Sequence, residues 1–278
     1  LMARFLRLWP GLAACVLTTV FLMGPWVTKL KLDDYLISDK TLSYAFWNIS
    51  LMGFENELPG VRFNPGLHGS EVNGGLWTIS LESRLYLGVA VFGMMGLFRR
   101  PIFGIPILGA LTVVLVTEGF SLMKSTQDGS GYLLAAFFTL GSLLYLVRHW
   151  IRLSWLWTLV LILLSYLSRD TPYHQISSAL FASYAVFVLG FGPKIPLPIW
   201  LEDYSYGMYL YGFPIQQLLT LAMDDVGPFE LALASIPMSM VAGALSWHGV
   251  EKASKKASGP LFHQVHGSKK MSTPGRES

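Results

Sequence analysis

The chain has 278 residues, 53% of them hydrophobic and only 13% charged, with a mean hydropathy of +0.48 and a formal net charge of +3. These values exclude a soluble globular domain, and a cationic excess this small and scattered gives no footprint for nucleic acid. The single cysteine, Cys15, excludes an intramolecular disulfide and a cysteine metal cluster, and the six histidines lack ligand spacing, so no metal site is expected.

Eight runs of about twenty mostly apolar residues cover residues 8–27, 76–98, 102–123, 131–147, 153–168, 175–192, 204–223 and 229–250. Backbone groups in lipid must be satisfied internally, so runs of this length predict helices. The expected fold is an all-α, polytopic membrane helical bundle with about eight transmembrane helices. With the N-terminus inside, thirteen basic residues fall on the inner side. The outer side holds six, namely Lys29, Lys31, Lys40, Arg62, Lys124 and Arg169. That bias predicts a multi-pass protein of the inner (plasma) membrane with both termini cytoplasmic. The domain reading is one transmembrane domain over residues 1–252 and a basic cytoplasmic tail over 253–278.

The first run lacks a small-residue cleavage site, so it reads as a permanent span rather than a removable signal. After it comes the one long loop, residues 28–75. Its stretch 42–54 carries Tyr44, Phe46, Trp47 and Phe54, and Pro59, Asn64, Pro65 and Gly66 make the remainder turn-like. Two readings fit: a short interfacial or re-entrant helix forming an outer lid, or aromatic anchoring at the headgroup level.

The second run carries the most informative residue. Glu82 lies roughly 9 Å beyond Leu76 along a helix, at a depth where ionisable groups are rare and usually functional. Thr78 and Tyr86 share its face at four-residue spacing, whereas Arg84 points elsewhere. Arg84 is expected to pair with Glu118 of the following run. Pro106, Pro214 and Pro237 are expected to interrupt their spans. A neighbouring cavity should absorb the carbonyl that Pro214 frees.

The string Asn73-Gly74-Gly75-Leu76-Trp77-Thr78-Ile79-Ser80-Leu81-Glu82-Ser83-Arg84-Leu85-Tyr86 resembles the Asn-Gly-Ser-Leu-Trp-Thr/Ser-Leu-x-x-Glu-x-x-x-Tyr signature of the acyltransferase 3 family of integral membrane O-acyltransferases. Arg4 to Pro10 is similar to the family's Arg-x-x-Arg-x-x-Pro segment at the start of its third helix. Ser205 to Pro214 resembles a late Ser-Tyr-x-x-Tyr-Leu-x-His-x-Pro helix, with Gly212 in place of the His. His248 to Lys252 resembles the closing Ile-Glu-Lys. These four motifs occur in the family's order, from about Arg4 to Lys252. Family members have ten helices, and the first carries an Arg followed eleven residues later by a catalytic His. By this resemblance the chain starts at the third helix, without that histidine.

The resemblance implies transfer of an acyl group, commonly acetyl, from a cytoplasmic acyl-CoA co-substrate to a hydroxyl of a cell-surface carbohydrate or glycolipid acceptor. No tightly bound cofactor is implied, and membrane lipids are the remaining partners. Coenzyme A phosphates favour guanidinium groups, and Arg4 and Arg7 share a helix face at the inner end. Removing the hydroxyl proton needs a base, usually His held by a partner. Glu82 orients such a histidine, organises an arginine or is itself the base. Asn73, Trp77, Tyr86, Ser205, Tyr206 and Tyr209 are expected to line the substrate path, with aromatic rings offering apolar faces and polar tips. His248 and Glu251 are expected to bond each other or close the donor site. The same intramembrane charges and interrupted helices also fit a transporter or flippase, or an inactive remnant of an acyltransferase. The missing internal repeat argues modestly against transport.

Overall fold

The structure is a computed structural model. It describes residues 2–63, 69–124, 129–151, 153–171, 173–191, 204–223 and 226–256, without the side chains of residues 2–7, 120, 123, 124 and 175. The described residues form helices with irregular connections and a single isolated bridge, Glu57 to Glu71, so the protein is all-α. It divides into two units: residues 1–80 with 199–278, and residues 81–198.

The first unit starts with α1 (Met2–Thr18), which continues through a π-helical turn (Thr19–Met23) into α2 (Gly24–Val27). Two loop helices follow, α3 (Leu32–Ile37) and α4 (Asp39–Ser50). The unit is completed by the first residues of α5 (Leu76–Met94), by α10 (Ser205–Ala222), and by α11 (Pro228–Ser246) with its π-helical extension Trp247–Glu251. Its core joins Leu12, Cys15, Val16 and Val20 of the first helix to Tyr35, Tyr44, Val61, Phe63, Val72, Leu76 and Leu210. The helices α10 and α11 cross where Gly207 meets Gly243: a Cβ on Gly207 would lie 2.7 Å from the Gly243 Cα. Only glycine at that crossing lets the backbones come so close.

The π-helical turn in the first helix follows from its sequence. The Gly24 N–H reaches back to the Thr19 carbonyl, and the next residue, Pro25, has no N–H to offer Val20. The Val20 carbonyl is therefore left open inside the core, and the Tyr35 hydroxyl donates to it at 2.9 Å. Gly24 makes room, since a Cβ there would collide with that hydroxyl. Burial pushes the Tyr35 phenol up to about 12, so it stays a donor at neutral pH.

In the second unit the rest of α5 leads to α6 (Pro101–Lys124), α7 (Ser130–Leu146), α8 (Trp155–Leu167) and α9 (His174–Phe191). The packed pairs are α6 with α7, α8 with α9, and α7 with α9. Hydroxyl groups stitch them: Thr112 Oγ1 donates to Thr139 at 2.9 Å, and Ser165 bonds Ser178 at 2.8 Å. Helices in lipid associate through such small and hydroxyl-bearing contacts. Ser154 caps α8 by accepting from the Leu156 N–H at 3.2 Å. Large apolar side chains face outward along α8, among them Trp155, Leu156, Leu159, Leu163 and Leu164.

Three described helical stretches are long and apolar enough to cross a membrane: Leu8–Val27, Pro101–Gly119 and Pro228–Lys256. Three more, Ser130–Leu146, Trp155–Leu167 and Ile176–Phe191, are apolar but shorter. The helices α6, α10 and α11 run without a break through Pro106, Pro214 and Pro237, because a proline removes one bond from a ladder that the other residues sustain. Arg84 and Glu118 are both exposed, and no ion pair joins them among the described residues. The last helix continues from Glu251 to Lys256, while residues 257–278 of the expected tail lie outside the described residues.

The long loop does contain helices. Tyr44 is drawn fully into the core, whereas Phe46 and Trp47 stay exposed and meet edge to face at 5.2 Å. One stretch of chain thus supplies both a core residue and an exposed aromatic pair.

Candidate functional site

The signature segment is anchored by a carbonyl that Pro214 leaves open. In an α-helix the Leu210 carbonyl would accept from the amide four residues on, and that residue is Pro214, which has none. Asn73 Nδ2 donates to Leu210 O at 3.0 Å, and Cys15 Sγ approaches the same oxygen at 3.4 Å. Asn73, Cys15 and Leu210 are all fully buried. The first residue of the signature therefore locks the start of α5 to α10 and α1. Its other amide atom, Oδ1, has no hydrogen-bond partner among the described residues.

The next two residues differ in what they tolerate. A Cβ on Gly74 would lie 2.8 Å from Glu71 Oε2 and 3.0 Å from the Phe213 ring, whereas a Cβ on Gly75 has nothing nearer than Asn73 Oδ1 at 3.5 Å. Gly75 occupies the position where the resembled signature has serine. It directly precedes α5, so a serine there would be an N-cap. We expect Gly75→Ser to raise stability by about 1 kcal/mol, because its hydroxyl reaches the unpaired Asn73 oxygen. Gly74→Ser should lower stability by about 1–3 kcal/mol through overpacking. Unfolding midpoints of the two variants in one detergent check both, and equal shifts would contradict the account.

Beyond this turn, the Tyr209 hydroxyl donates to Gly75 O at 2.5 Å and also bonds Thr78 Oγ1, which in turn donates to Gly75 O at 3.1 Å. Trp77 is half-buried beside them in sequence. The structure thus brings together Asn73, Thr78 and Tyr209. The face of α10 predicted to carry Ser205, Tyr209 and Phe213 sets Tyr209 and Phe213 against the Gly74-Gly75 turn, while Ser205 is exposed.

Tyr206 works at another place. Its hydroxyl donates to Leu8 O at 2.9 Å, and its ring meets Gly11 of α1. Glu251 packs against the same glycine, only 4% exposed, and accepts from Ser246 Oγ at 2.7 Å. His248 instead faces Tyr204, whose hydroxyl lies 3.3 Å from Nε2. The three-residue spacing offers a mutual bond or a closing of the donor site, and the π-helical turn sends the acid inward onto α1. Arg7 is one helical turn before Gly11 on α1, and the side chains of Arg4 and Arg7 lie outside the described ones.

In the second unit, Tyr86 donates its hydroxyl to Glu82 Oε1, and its ring meets Phe138 of α7 edge to face at 5.5 Å. Both residues are half-buried. The four-residue spacing accounts for the pair. A carboxylate held by a phenol on a largely apolar helix can accept a proton or hold a cationic group.

The chain is similar to a protein named O-acetyl transferase from Shigella phage Sf6, with 26% identity over 92% of this chain and 77% of that protein. No protein-family model matches the chain, and no solved structure does. The similarity supports a transferase.

Proposed function

We propose that the protein is a membrane O-acyltransferase of the acyltransferase 3 type. It moves an acetyl group from a cytoplasmic acyl-CoA donor to a hydroxyl of a cell-surface carbohydrate or glycolipid. The observation that carries this reading is the similarity, along nearly the whole chain, to a protein named O-acetyl transferase. The signature around Asn73 and Glu82 agrees with it. The proposal includes eight spans, with α5 and the shorter apolar helices crossing beside the three long ones, in the inner membrane with both ends cytoplasmic.

In the reaction the acceptor oxygen bonds to the thioester carbonyl carbon and the C–S bond breaks. The hydroxyl proton passes to a base and leaves with the thiol. Glu82 is the proposed base, or holds the group that serves as one, and Tyr86 steadies its carboxylate. Arg4 and Arg7 are proposed to take the donor phosphates as charge-assisted, bidentate partners. Trp77, Tyr86, Ser205, Tyr206 and Tyr209 are proposed to border the path of acyl group and acceptor. Asn73 holds that path's two helices together.

Arg7→Ala separates donor binding from chemistry. Its KM for acetyl-CoA should rise at least tenfold, with membrane insertion unchanged and kcat lowered less than KM is raised. Initial rates with labelled acetyl-CoA in isolated membranes measure both constants. An unchanged KM would remove Arg7 from the donor site.

A further inference from the structure

An open cleft of about 810 Å³ lies in the first unit, against the loop segments that follow α2 and α4. Its volume is within the roughly 300–1,000 Å³ of small-molecule sites. The cleft is lined by Lys29, Lys40 and Arg62, with Glu57 as the one acid among the described residues of its lining. The three basic side chains are exposed, and none is paired with a carboxylate among the described residues. Glu57 is occupied by the Ser70 hydroxyl, which donates to it at 2.5 Å. Among the described lining residues, three cations against one acid leave a net charge of +2 on one concave surface.

That concentration runs against the distribution of charge in the chain. The side expected to face outward holds six basic residues, and three of them converge here. Two of the three positions, 29 and 62, are also tied together by the backbone. The Lys29 N–H donates to Gly60 O at 3.0 Å, and Thr28 Oγ1 donates to Pro59 O at 2.8 Å. Gly60 turns with φ +71, a conformation strained for other residues. This clamp ties the Lys29 segment to the turn that leads to Arg62. Like charges held together on a fixed wall repel each other, and a bound anion relieves the repulsion.

We infer that this cleft binds an oxyanion, a phosphate or a carboxylate, carried by the acceptor at the outer face. The inference deepens the proposed function and rests on it for the word acceptor; the anion site itself stands on geometry. The acceptor is accordingly an acidic or phosphate-linked glycan rather than a neutral one. Leu221 and Pro59 in the same lining offer apolar surface for sugar rings.

The test uses the full chain in nanodiscs of phosphatidylcholine, with calorimetric binding of three probes: tetragalacturonate, neutral tetragalactose and inorganic pyrophosphate. The wild type should bind at least one of the two anionic probes and not the neutral one, with affinity falling as salt rises. The triple variant Lys29→Gln, Lys40→Gln, Arg62→Gln should weaken that binding at least tenfold. Near-ultraviolet circular dichroism of both proteins shows that the variant is folded. Binding of pyrophosphate alone assigns a phosphate, and binding of tetragalacturonate assigns a carboxylate. Equal binding by wild type and variant, or none by the wild type, overturns the inference. Displacement of the probe when phosphatidylglycerol replaces phosphatidylcholine puts a lipid headgroup in the cleft and overturns the acceptor assignment. Acetyl transfer is assayed on the same samples. In the natural full-length protein, anion binding without transfer refutes the enzyme reading and leaves the cleft, whereas transfer without anion binding does the reverse.

Discussion

Glu82→Gln should lower the turnover of acetyl transfer by about 100-fold or more, the range expected when a general base is removed. The substitution is nearly isosteric, and the Tyr86 hydroxyl can still donate to the remaining carbonyl oxygen, so packing between α5 and α7 is retained. The KM for acetyl-CoA should move by less than threefold, because Glu82 is assigned to proton transfer and Arg7 to donor binding. The two variants thus have opposite kinetic signatures. Tyr86→Phe should have an intermediate effect of roughly tenfold, since it removes a hydrogen bond to the carboxylate but leaves the carboxylate itself. Turnover of Glu82→Gln within threefold of wild type would remove Glu82 from the chemistry.

The second large effect concerns stability and a double-mutant cycle. Asn73→Ala leaves the buried Leu210 carbonyl with the Cys15 thiol alone and should cost about 2 kcal/mol. Pro214→Ala supplies the missing N–H at position 214, which can close the ordinary helical bond to Leu210 O. In that background Asn73→Ala should cost about 1 kcal/mol less. The difference is the interaction energy between a loop asparagine and a proline 141 positions away in sequence (214 minus 73). Reversible unfolding in mixed micelles of the wild type, both single variants and the double variant gives the four values. Strict additivity would show that the proline and the asparagine are not coupled through that carbonyl.

The same physical device occurs twice in the first unit. Pro25 and Pro214 each leave a carbonyl of a buried residue open, and a side chain from the segment between them in sequence closes it: Tyr35 on Val20, Asn73 on Leu210. Half of this was legible in the sequence. A proline at a known place in an apolar run says which carbonyl loses its partner, but at Leu210 the Asn73 amide and the Cys15 thiol take the place of the expected cavity. Which side chain arrives depends on tertiary packing, and no local pattern around Asn73 or Tyr35 specifies it. The π-helical turn at Trp247–Glu251 was hidden for a similar reason. It shifts the register by one residue, so Glu251 leaves the face that a regular helix gives it and packs on Gly11.

The apolar, helical character was the most legible property: composition sets this chain apart from average soluble proteins, and three described helical stretches are long and apolar enough to cross a membrane. The span lengths were less so. The run 76–98 was read as one span, and α5 stops at Met94. Hydropathy registers the apolar side chains beyond that point, whereas the helix depends on backbone bonds that the turn at residues 95–100 redirects. The basic cleft was invisible in the sequence. Lys29, Lys40 and Arg62 are spread over 34 positions (62 minus 29, inclusive), and only the folded loop brings them to one wall.

The most direct test of acetyl transfer across the membrane uses inverted inner-membrane vesicles carrying the natural full-length protein. Acetyl-CoA labelled in the acetyl group is added outside, where the cytoplasmic face is exposed. The account predicts label in base-labile ester on glycan inside the vesicles, with one coenzyme A thiol released per ester formed and no accumulation of free solute. Label entering the vesicles without ester formation would contradict it and would make the protein a transporter.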